Sequence, residues 1–319
     1  MNPLISICIP AYKRVHYLKR LLDSISIQSF RDFEVVITDD SNDESVTHLL
    51  NEYKGFFPLR YQKNSVSLGT PENWNESIRI AAGEWIKLMH DDDWFESADA
   101  LQLFANATSQ GRDFIFSAYY NCYEERPGKE LVVASGMNRR LLQDTAFNLV
   151  STNMIGPPSV TLYRKNNIEY DKRMKWRVDI DFYIRYLGES SFFFIHQPLI
   201  DVGISEEQVT KSCFLVPEVE LPENFLLLEK MGINSLNNWI VYDSWWRLMR
   251  NLNIKNIAEI RQAGYTKPVP PVIERMIRQQ RLVPNRLLKF GALSKILMFI
   301  SWTSWRVFHK GEALRRPAI

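Results

Sequence analysis

Three consecutive aspartates, Asp91-Asp92-Asp93, follow the mostly apolar segment Glu84-Trp85-Ile86-Lys87-Leu88-Met89 and His90 in a chain of 319 residues. Adjacent carboxylates repel, and a divalent cation is the natural compensation because hard cations prefer oxygen ligands. Magnesium or manganese held by one or two carboxylates, with substrate phosphates completing the shell, fits this count. The same run also reads as a solvated loop whose aspartates cap the next helix. Asp39-Asp40 has two readings as well: acceptors for a ring N–H of a base, or caps for the following helix. A third polar cluster, Pro10-Ala11-Tyr12-Lys13-Arg14, follows another apolar run. Neither G-x-G-x-x-G after the first strand nor G-x-x-x-x-G-K-[ST] anywhere is present. Backbone amides therefore do not wrap a pyrophosphate in the usual way, and a metal must neutralise it.

The elements that position these clusters alternate in type. Leu4–Ile9 is a short apolar run rich in β-branched residues and stopped by Pro10, which predicts a buried strand. Apolar residues at 18, 21, 22 and 25 have helical spacing. Strands are expected at 33–38, 59–62 and 84–89, with helices through Leu49-Leu50 and from about 71 to 82, ending at Gly83. Strands alternating with helices imply an α/β fold with a mostly parallel, doubly wound sheet. Ligands of such sheets bind beyond the carboxyl ends of the strands, where all three clusters fall. From about 100 to 215 the pattern is mixed, with strands expected at 114–119, 159–163 and 192–195 and a helix at 180–187. After Pro217 it is helical, around 223–232, 235–252, 255–264, 271–282 and 286–308.

Composition narrows the class. Hydrophobic residues are 45% and charged residues 24%, an ordinary globular balance that excludes wholesale disorder. The net charge of +2 conceals a split: ten basic residues and one acid, Glu312, lie from Arg275 onward, leaving 29 basic and 36 acidic residues before it. Such a tail suits an anionic partner, membrane or nucleic acid. Cys8, Cys122 and Cys213 are scattered, with no CxxC, so neither a disulfide framework nor a zinc site is expected and a reducing compartment fits. No HExxH occurs, the N-terminal apolar run lacks signal-peptide form, and the uncharged stretch 296–305 is too short to span a bilayer.

Three blocks together resemble the family 2 inverting glycosyltransferases of GT-A fold. They are Ile5–Arg14 (ISICIPAYKR), Phe30–Ser41 (FRDFEVVITDDS), and Ala82–Ile86 (AGEWI) leading into Asp91-Asp92-Asp93-Trp94. Order and spacing both match over most of residues 4–95. The resemblance implies a nucleotide-diphospho-sugar donor, a Mn2+ or Mg2+ cofactor and transfer to an acceptor hydroxyl. It puts Pro10, Tyr12 and Arg14 in the nucleoside pocket, Asp40 on the base with Asp39 beside it, and Asn75 on the helix before the metal motif. It makes Asp92 the principal metal ligand, with Asp91 near ribose or metal. His90 stands where many members carry the first acidic residue of the motif. Trp176–Arg185 (WRVDIDFYIR) matches the block that supplies the general base, which falls on Asp179; Trp176 and Asp181 are candidate acceptor contacts, with the 153–159 loop nearby. Gln208-x-Thr210 is a candidate for closing over the pyrophosphate. The Gln-x-x-Arg-Trp motif of processive relatives is absent.

The expected organisation is residues 1–100 for nucleotide-sugar binding, 101–215 for acceptor binding, and 216–319 as a helical extension. Residues 287–308 mix Lys289, Lys295, Arg306 and, just beyond, Lys310 with Phe290, Leu297, Phe299, Ile300, Trp302 and Trp305. Interfacial helices have this composition, as does a helix packed on the protein with its cations in water. No nucleic-acid module is visible. The reading is a non-processive enzyme of polysaccharide or lipopolysaccharide assembly, acting on a glycan or lipid-linked acceptor, cytoplasmic and peripheral on the inner membrane. The alternatives are a nucleotidyltransferase making an activated sugar, which wants a glycine-rich, lysine-containing N-terminal loop, and a non-catalytic nucleotide- or sugar-binding protein.

Overall fold

The computed structural model describes residues 2–205 and 213–313, with side chains through Val307. Gln208, Thr210 and the side chain of Lys310 lie outside the described residues. The chain divides into two units, Met1–Ala146 with Asn153–Gln208, and Phe147–Thr152 with Val209–Ile319.

In the first unit, β1 (Ile5–Ala11), β2 (Phe33–Asp39), β3 (Leu59–Lys63) and β4 (Trp85–Leu88) alternate with α1 (Val15–Ser26), α2 (Ser45–Leu50) and α3 (Glu72–Ile80). β1, β2 and β4 are buried almost throughout, as near-continuous apolar runs in a two-sided parallel sheet must be. β5 (Trp94–Phe95), α4 (Ala100–Ala107), β6 (Phe114–Tyr123), β7 (Lys129–Val132), α5 (Gly136–Asp144), β8 (Thr161–Arg164), α6 (Val178–Leu187) and β9 (Phe192–Ile204) complete the unit. The sheet order is β3-β2-β1-β4-β8-β6-β9-β5, with β7 beside β6. Pairings among β1 to β4 are parallel, as is β6 with β9, while β4/β8, β6/β8, β6/β7 and β5/β9 are antiparallel. The α/β architecture is therefore as expected, with a parallel first half and a mixed second half.

Register decides where the site is. β1 and β2 pair from Ile5↔Phe33 to Ala11↔Asp39, so they end level. Cys8 pairs with Leu88, and Met89 N–H donates to the Cys8 carbonyl at 2.9 Å. The three polar clusters thus leave neighbouring strands at one edge of the sheet.

Several elements differ from the local pattern. β9 continues past Pro198 because the β6/β9 ladder skips there, from Ser117↔Ile195 to Ala118↔Pro198 and Tyr119↔Ile200. Such an irregularity accommodates a residue with no N–H. α4 escapes a periodicity reading because it is apolar around most of its circumference, with Ala100, Leu101, Phe104, Ala105 and Ala107 buried. α5 starts at a Ser135 cap whose Oγ accepts from Asn138 N–H at 3.1 Å.

The second unit contains α7 (Pro217–Met231), α8 (Trp239–Asn251), α9 (Ile257–Gln262), α10 (Pro271–Arg281), α11 (Asn285–Leu288) and α12 (Gly291–Ala313). α7 begins earlier than its apolar spacing suggests because Pro217 occupies the first helical turn, where its missing N–H is harmless. No helix among the described residues is long and apolar enough to cross a membrane.

One joint ties β1, β2 and β4 together. Ser6 Oγ donates to Glu34 Oε1 at 2.7 Å and accepts from Gly83 N–H at 2.8 Å, while Ala82 N–H donates to the same Glu34 oxygen at 2.6 Å. A Cβ on Gly83 would lie 2.6 Å from both the nitrogen and the Oγ of Ser6, and 2.9 Å from Ile5 carbonyl carbon. Backbone cannot step aside cheaply, so Gly83→Ala is expected to destabilise the fold by about 1–3 kcal/mol, read from the midpoint of urea unfolding at unchanged slope.

Candidate active site

The turn after β4 brings three carboxylates out of the core. Asp91 and Asp93 are buried, and Asp92 is partly exposed. Arg14, from the turn after β1, forks across two of them. Its Nε and Nη2 donate to the two oxygens of Asp91, the former at 3.2 Å, and its Nη1 donates to Asp92 Oδ2 at 3.2 Å. Burial pushes the Asp91 carboxyl up to about 7, against the pull of Arg14. Asp93 accepts from Gly203 N–H at 3.0 Å; burial first, and the Asp92 charge second, raise it well above the usual carboxylate range. On the outer side, Arg20 of α1 donates to the Asp92 carbonyl at 2.7 Å while its guanidinium lies 3.6 Å from the Trp94 ring centre. A Cβ on Gly203 would collide with that same carbonyl oxygen, so β9 approaches the turn as only glycine allows.

His90 belongs to this arrangement. Its backbone N–H donates to Ser159 Oγ at 3.0 Å, its ring lies 4.7 Å from that of Trp74, and its Nδ1 is 4.0 Å from Asp93 Oδ2. Its Nε2 is buried without a hydrogen-bond partner. Burial lowers the imidazole, which favours the neutral form a metal ligand requires. His90, Asp92 and Asp93 each offer one ligand atom within 4.8 Å of the others. One imidazole nitrogen and two carboxylate oxygens are a donor set that fits a divalent ion. Asp91 has both of its oxygens engaged by Arg14, whereas Arg14 takes only one oxygen of Asp92.

The second carboxylate site is reached through the loop 153–159. Asp179, in the first turn of α6, accepts from Asn153 Nδ2 at 2.9 Å through Oδ2 and from Ile180 N–H at 2.8 Å through Oδ1. Asn153 also donates to the Gly156 carbonyl at 3.0 Å and accepts from Ile155 and Gly156 N–H at 3.0 and 2.9 Å. Gly156 has φ +116°, and a Cβ there would lie 2.8 Å from the Tyr119 ring. Burial and then the Asp93 charge push the Tyr119 hydroxyl up to about 12. At the far end of the loop, Ser159 receives His90 N–H, and its carbonyl accepts from the buried Lys87 ammonium. One short segment therefore touches both the Asp179 carboxylate and the aspartate turn. Asp181 faces away: it is fully buried and held by Arg185 Nε and Nη2 at 2.9 and 2.7 Å. Trp176 is half-buried just before α6.

On the side of β1 and β2, Tyr12 is exposed beside half-buried Pro10. Asp39 does not cap α2. Its oxygens accept from Ser41 N–H at 2.8 Å and Tyr61 hydroxyl at 2.9 Å, and the helix entry is bonded instead by Asp43, through Ser45 N–H at 3.0 Å. Asp40 shapes the 64–69 loop, accepting from Asn64 Nδ2 at 2.7 Å, Leu68 N–H at 3.0 Å and Gly69 N–H at 2.7 Å. Asn73 carries this network back to the strands, donating to the Thr38 carbonyl at 3.1 Å and accepting from Asn64 at 2.9 Å. Asn75 is spent elsewhere, donating to the Tyr170 carbonyl at 2.9 Å and accepting from Tyr170 N–H at 2.8 Å. Sequence reasoning missed Asn64, Asn73, Arg20 and the part played by Asp93. Only Asp93 left a local signal, as the third member of its run.

Comparison with known proteins accords with this geometry. Residues 6–170, more than half of the chain, match Glycosyl transferase family 2. Abequosyltransferase RfbV of Salmonella typhimurium is 28% identical over 201 residues, covering 59% of this chain and 58% of that protein. The GalNAc(5)-diNAcBac-PP-undecaprenol beta-1,3-glucosyltransferase of Campylobacter jejuni is 29% identical over 128 residues, 40% of either chain. The match thus spans less than two thirds of either relative's length. Among solved structures, S. aureus TarS 1-349 in complex with UDP-GlcNAc superposes with TM-score 0.62 at 18% identity, covering 96% of this chain and 92% of that one. Mannosyltransferase PcManGT from Pyrobaculum calidifontis, in complex with GDP-Man and Mn2+, gives TM-score 0.51 at 13% identity, covering 97% and 88%. At these identities the likeness is one of fold, the GT-A arrangement. With the family match spanning the three strand ends that carry the polar clusters, the chain belongs to glycosyl transferase family 2.

Proposed function

We propose that this enzyme moves a sugar, with inversion, from a nucleotide-diphospho-sugar to a hydroxyl of a glycan or lipid-linked acceptor, one sugar per encounter. The observation that carries the reading is the loop 153–159, which bonds the Asp179 carboxylate at one end and the His90–Asp93 turn at the other. A base and a diphosphate site held by one rigid segment is what a single in-line displacement needs. Asp179 takes the proton of the acceptor hydroxyl as its oxygen bonds to the anomeric carbon; the bond from that carbon to the diphosphate oxygen breaks on the opposite face, and the diphosphate leaves with the electron pair. Asn153 holds the carboxylate in position through its 2.9 Å bond. A Mn2+ or Mg2+ ion held by Asp92, with His90 and Asp93, would supply charge stabilisation to the leaving diphosphate. Arg14 holds Asp91 and Asp92 against mutual repulsion, and exposed Tyr12 offers a ring face to the nucleoside.

Aspartates at the nucleoside side accept from a base with a ring N–H donor, which uracil, thymine and guanine all carry; of these the reading favours a UDP- or dTDP-sugar. A lipid-linked acceptor draws support from the undecaprenol-linked name of the Campylobacter jejuni relative.

The first test is calorimetric binding of UDP, dTDP, GDP and CMP, each with and without manganese. One diphosphate is expected to bind in a metal-dependent way and to lose that dependence in Asp92→Ala; absence of binding by every nucleotide overturns the reading. Asp179→Asn is expected to lower kcat by about 10²–10⁴ while nucleotide affinity holds, as for loss of a general base. Asn153→Ala leaves the base present but unheld, so kcat should fall by up to about 10² with nucleotide affinity unchanged; an unaltered kcat would remove Asn153 from the mechanism.

A further inference from the structure

The helix α12 carries large apolar residues on two opposite faces, one more than a helix that only packs requires. Its inward face carries Ser294, Met298, Ser301 and Trp305, all buried. That face is bonded into the second unit: Trp246 Nε1 donates to Ser294 Oγ at 3.1 Å, Tyr242 hydroxyl and Ser301 Oγ lie 2.6 Å apart, and Lys295 Nζ donates to Asp243 at 2.8 Å. The opposite face presents Ile296, Phe299, Ile300 and Val307, which are 57%, 51%, 58% and 72% exposed. At 100° per residue these four fall within about 100° of arc, centred opposite the buried face. Leu287 and Phe290, just ahead of the helix, are exposed too. Four large apolar residues directed to water along one stripe call for a partner.

Charge chooses the partner. Exposed Arg281, Arg286 and Lys289 precede the helix and Arg306 borders the stripe, while no aspartate or glutamate occurs from Arg275 to Gly311. A two-fold contact with a second copy would set these cations against their own equivalents with no acid to neutralise them. An anionic bilayer surface satisfies both features at once, taking apolar side chains below the headgroups and cations among them.

We propose that the Ile296-Phe299-Ile300-Val307 face of α12, with the cations around it, docks this enzyme flat on an anionic lipid surface. The chain lies on the bilayer without crossing it, in keeping with the absence of a spanning helix among the described residues. The inference is independent of the transferase chemistry and adds to it the place where a lipid-linked acceptor would be met.

The test is co-sedimentation of the full chain with phosphatidylcholine vesicles and with vesicles containing one quarter phosphatidylglycerol. The full chain is expected to bind the anionic vesicles, to bind the neutral ones more weakly, and to be released by salt. The combined substitution Ile296→Ser, Phe299→Ser, Ile300→Ser should weaken binding by about tenfold or more, while far-UV circular dichroism and calorimetric nucleotide binding stay unchanged. Arg286→Glu with Lys289→Glu should abolish the preference for anionic vesicles. Failure of the unaltered chain to bind either vesicle overturns the proposal, as does a triple variant that binds as well as the parent. A dimer in sedimentation velocity that the triple variant dissolves, without vesicle binding, would assign the face to a second copy. Because nucleotide binding is read separately, loss of either proposal leaves the other standing.

Discussion

Burying carboxylates is costly, by several kcal/mol for each one that stays ionised, and the site is organised around meeting that requirement at the end of β4. Asp91 and Asp93 are both buried with Asp92 between them. Arg14 comes from β1 to neutralise Asp91 and Asp92, Gly203 comes from β9 to bond Asp93, and Arg20 comes from α1 to hold the Asp92 carbonyl. Beneath them Lys87 is wholly buried, its ammonium bonded to the Ser159 and Thr161 carbonyls and its proton affinity lowered by burial, though the Asp93 charge opposes this. Elements far apart in the chain must therefore converge on one turn.

The same convergence locates the second carboxylate. Ser159 touches the aspartate turn, and the loop leading back to Asn153 bonds Asp179. Its bend at Gly156 packs so closely on Tyr119 that a side chain would not fit, and the Tyr183 hydroxyl donates to the Gly156 carbonyl at 3.1 Å. A loop fixed at both ends and in the middle keeps the Asp179 carboxylate and the aspartate turn at a set separation, the pre-organisation that the proposed displacement needs. Of the two aspartates on α6, Asp179 is the partly exposed one, while Asp181 is fully buried in an ion pair four residues along the same helix. Helix geometry thus commits Asp181 to the ion pair and leaves Asp179 as the carboxylate proposed as the base.

The second unit answers to a different constraint. Its core is ordinary helix packing, with Trp246, Met249, Ile273 and Met276 buried. α12 attaches to that core through Met298 and Trp305 and through the bonds made by Ser294, Ser301 and Lys295. Apolar side chains point inward here as usual at Met298 and Trp305, but bonded serines share that buried face and a second apolar stripe is left outside.

The three strand ends and their aspartates were readable from sequence because buried parallel strands are contiguous apolar runs, and the residues that stop them sit next in line. The family resemblance rested on the same local blocks, and its α/β fold held. What local pattern did not carry was every pairing across distance. Arg14 meets Asp91 over 77 residues and Asn75 meets Tyr170 over 95; periodicity contains no record of such contacts. The grouping of Asp92 with His90 and Asp93, the continuation of β9 past Pro198, and the direction in which α12 turns its phenylalanine and isoleucines were likewise decided by tertiary packing. The sequence by itself determined which chemical groups the strands deliver to one edge. Only the folded chain determined which of them are neutralised by neighbours and which remain for a ligand, because that depends on burial and on partners that no local window contains.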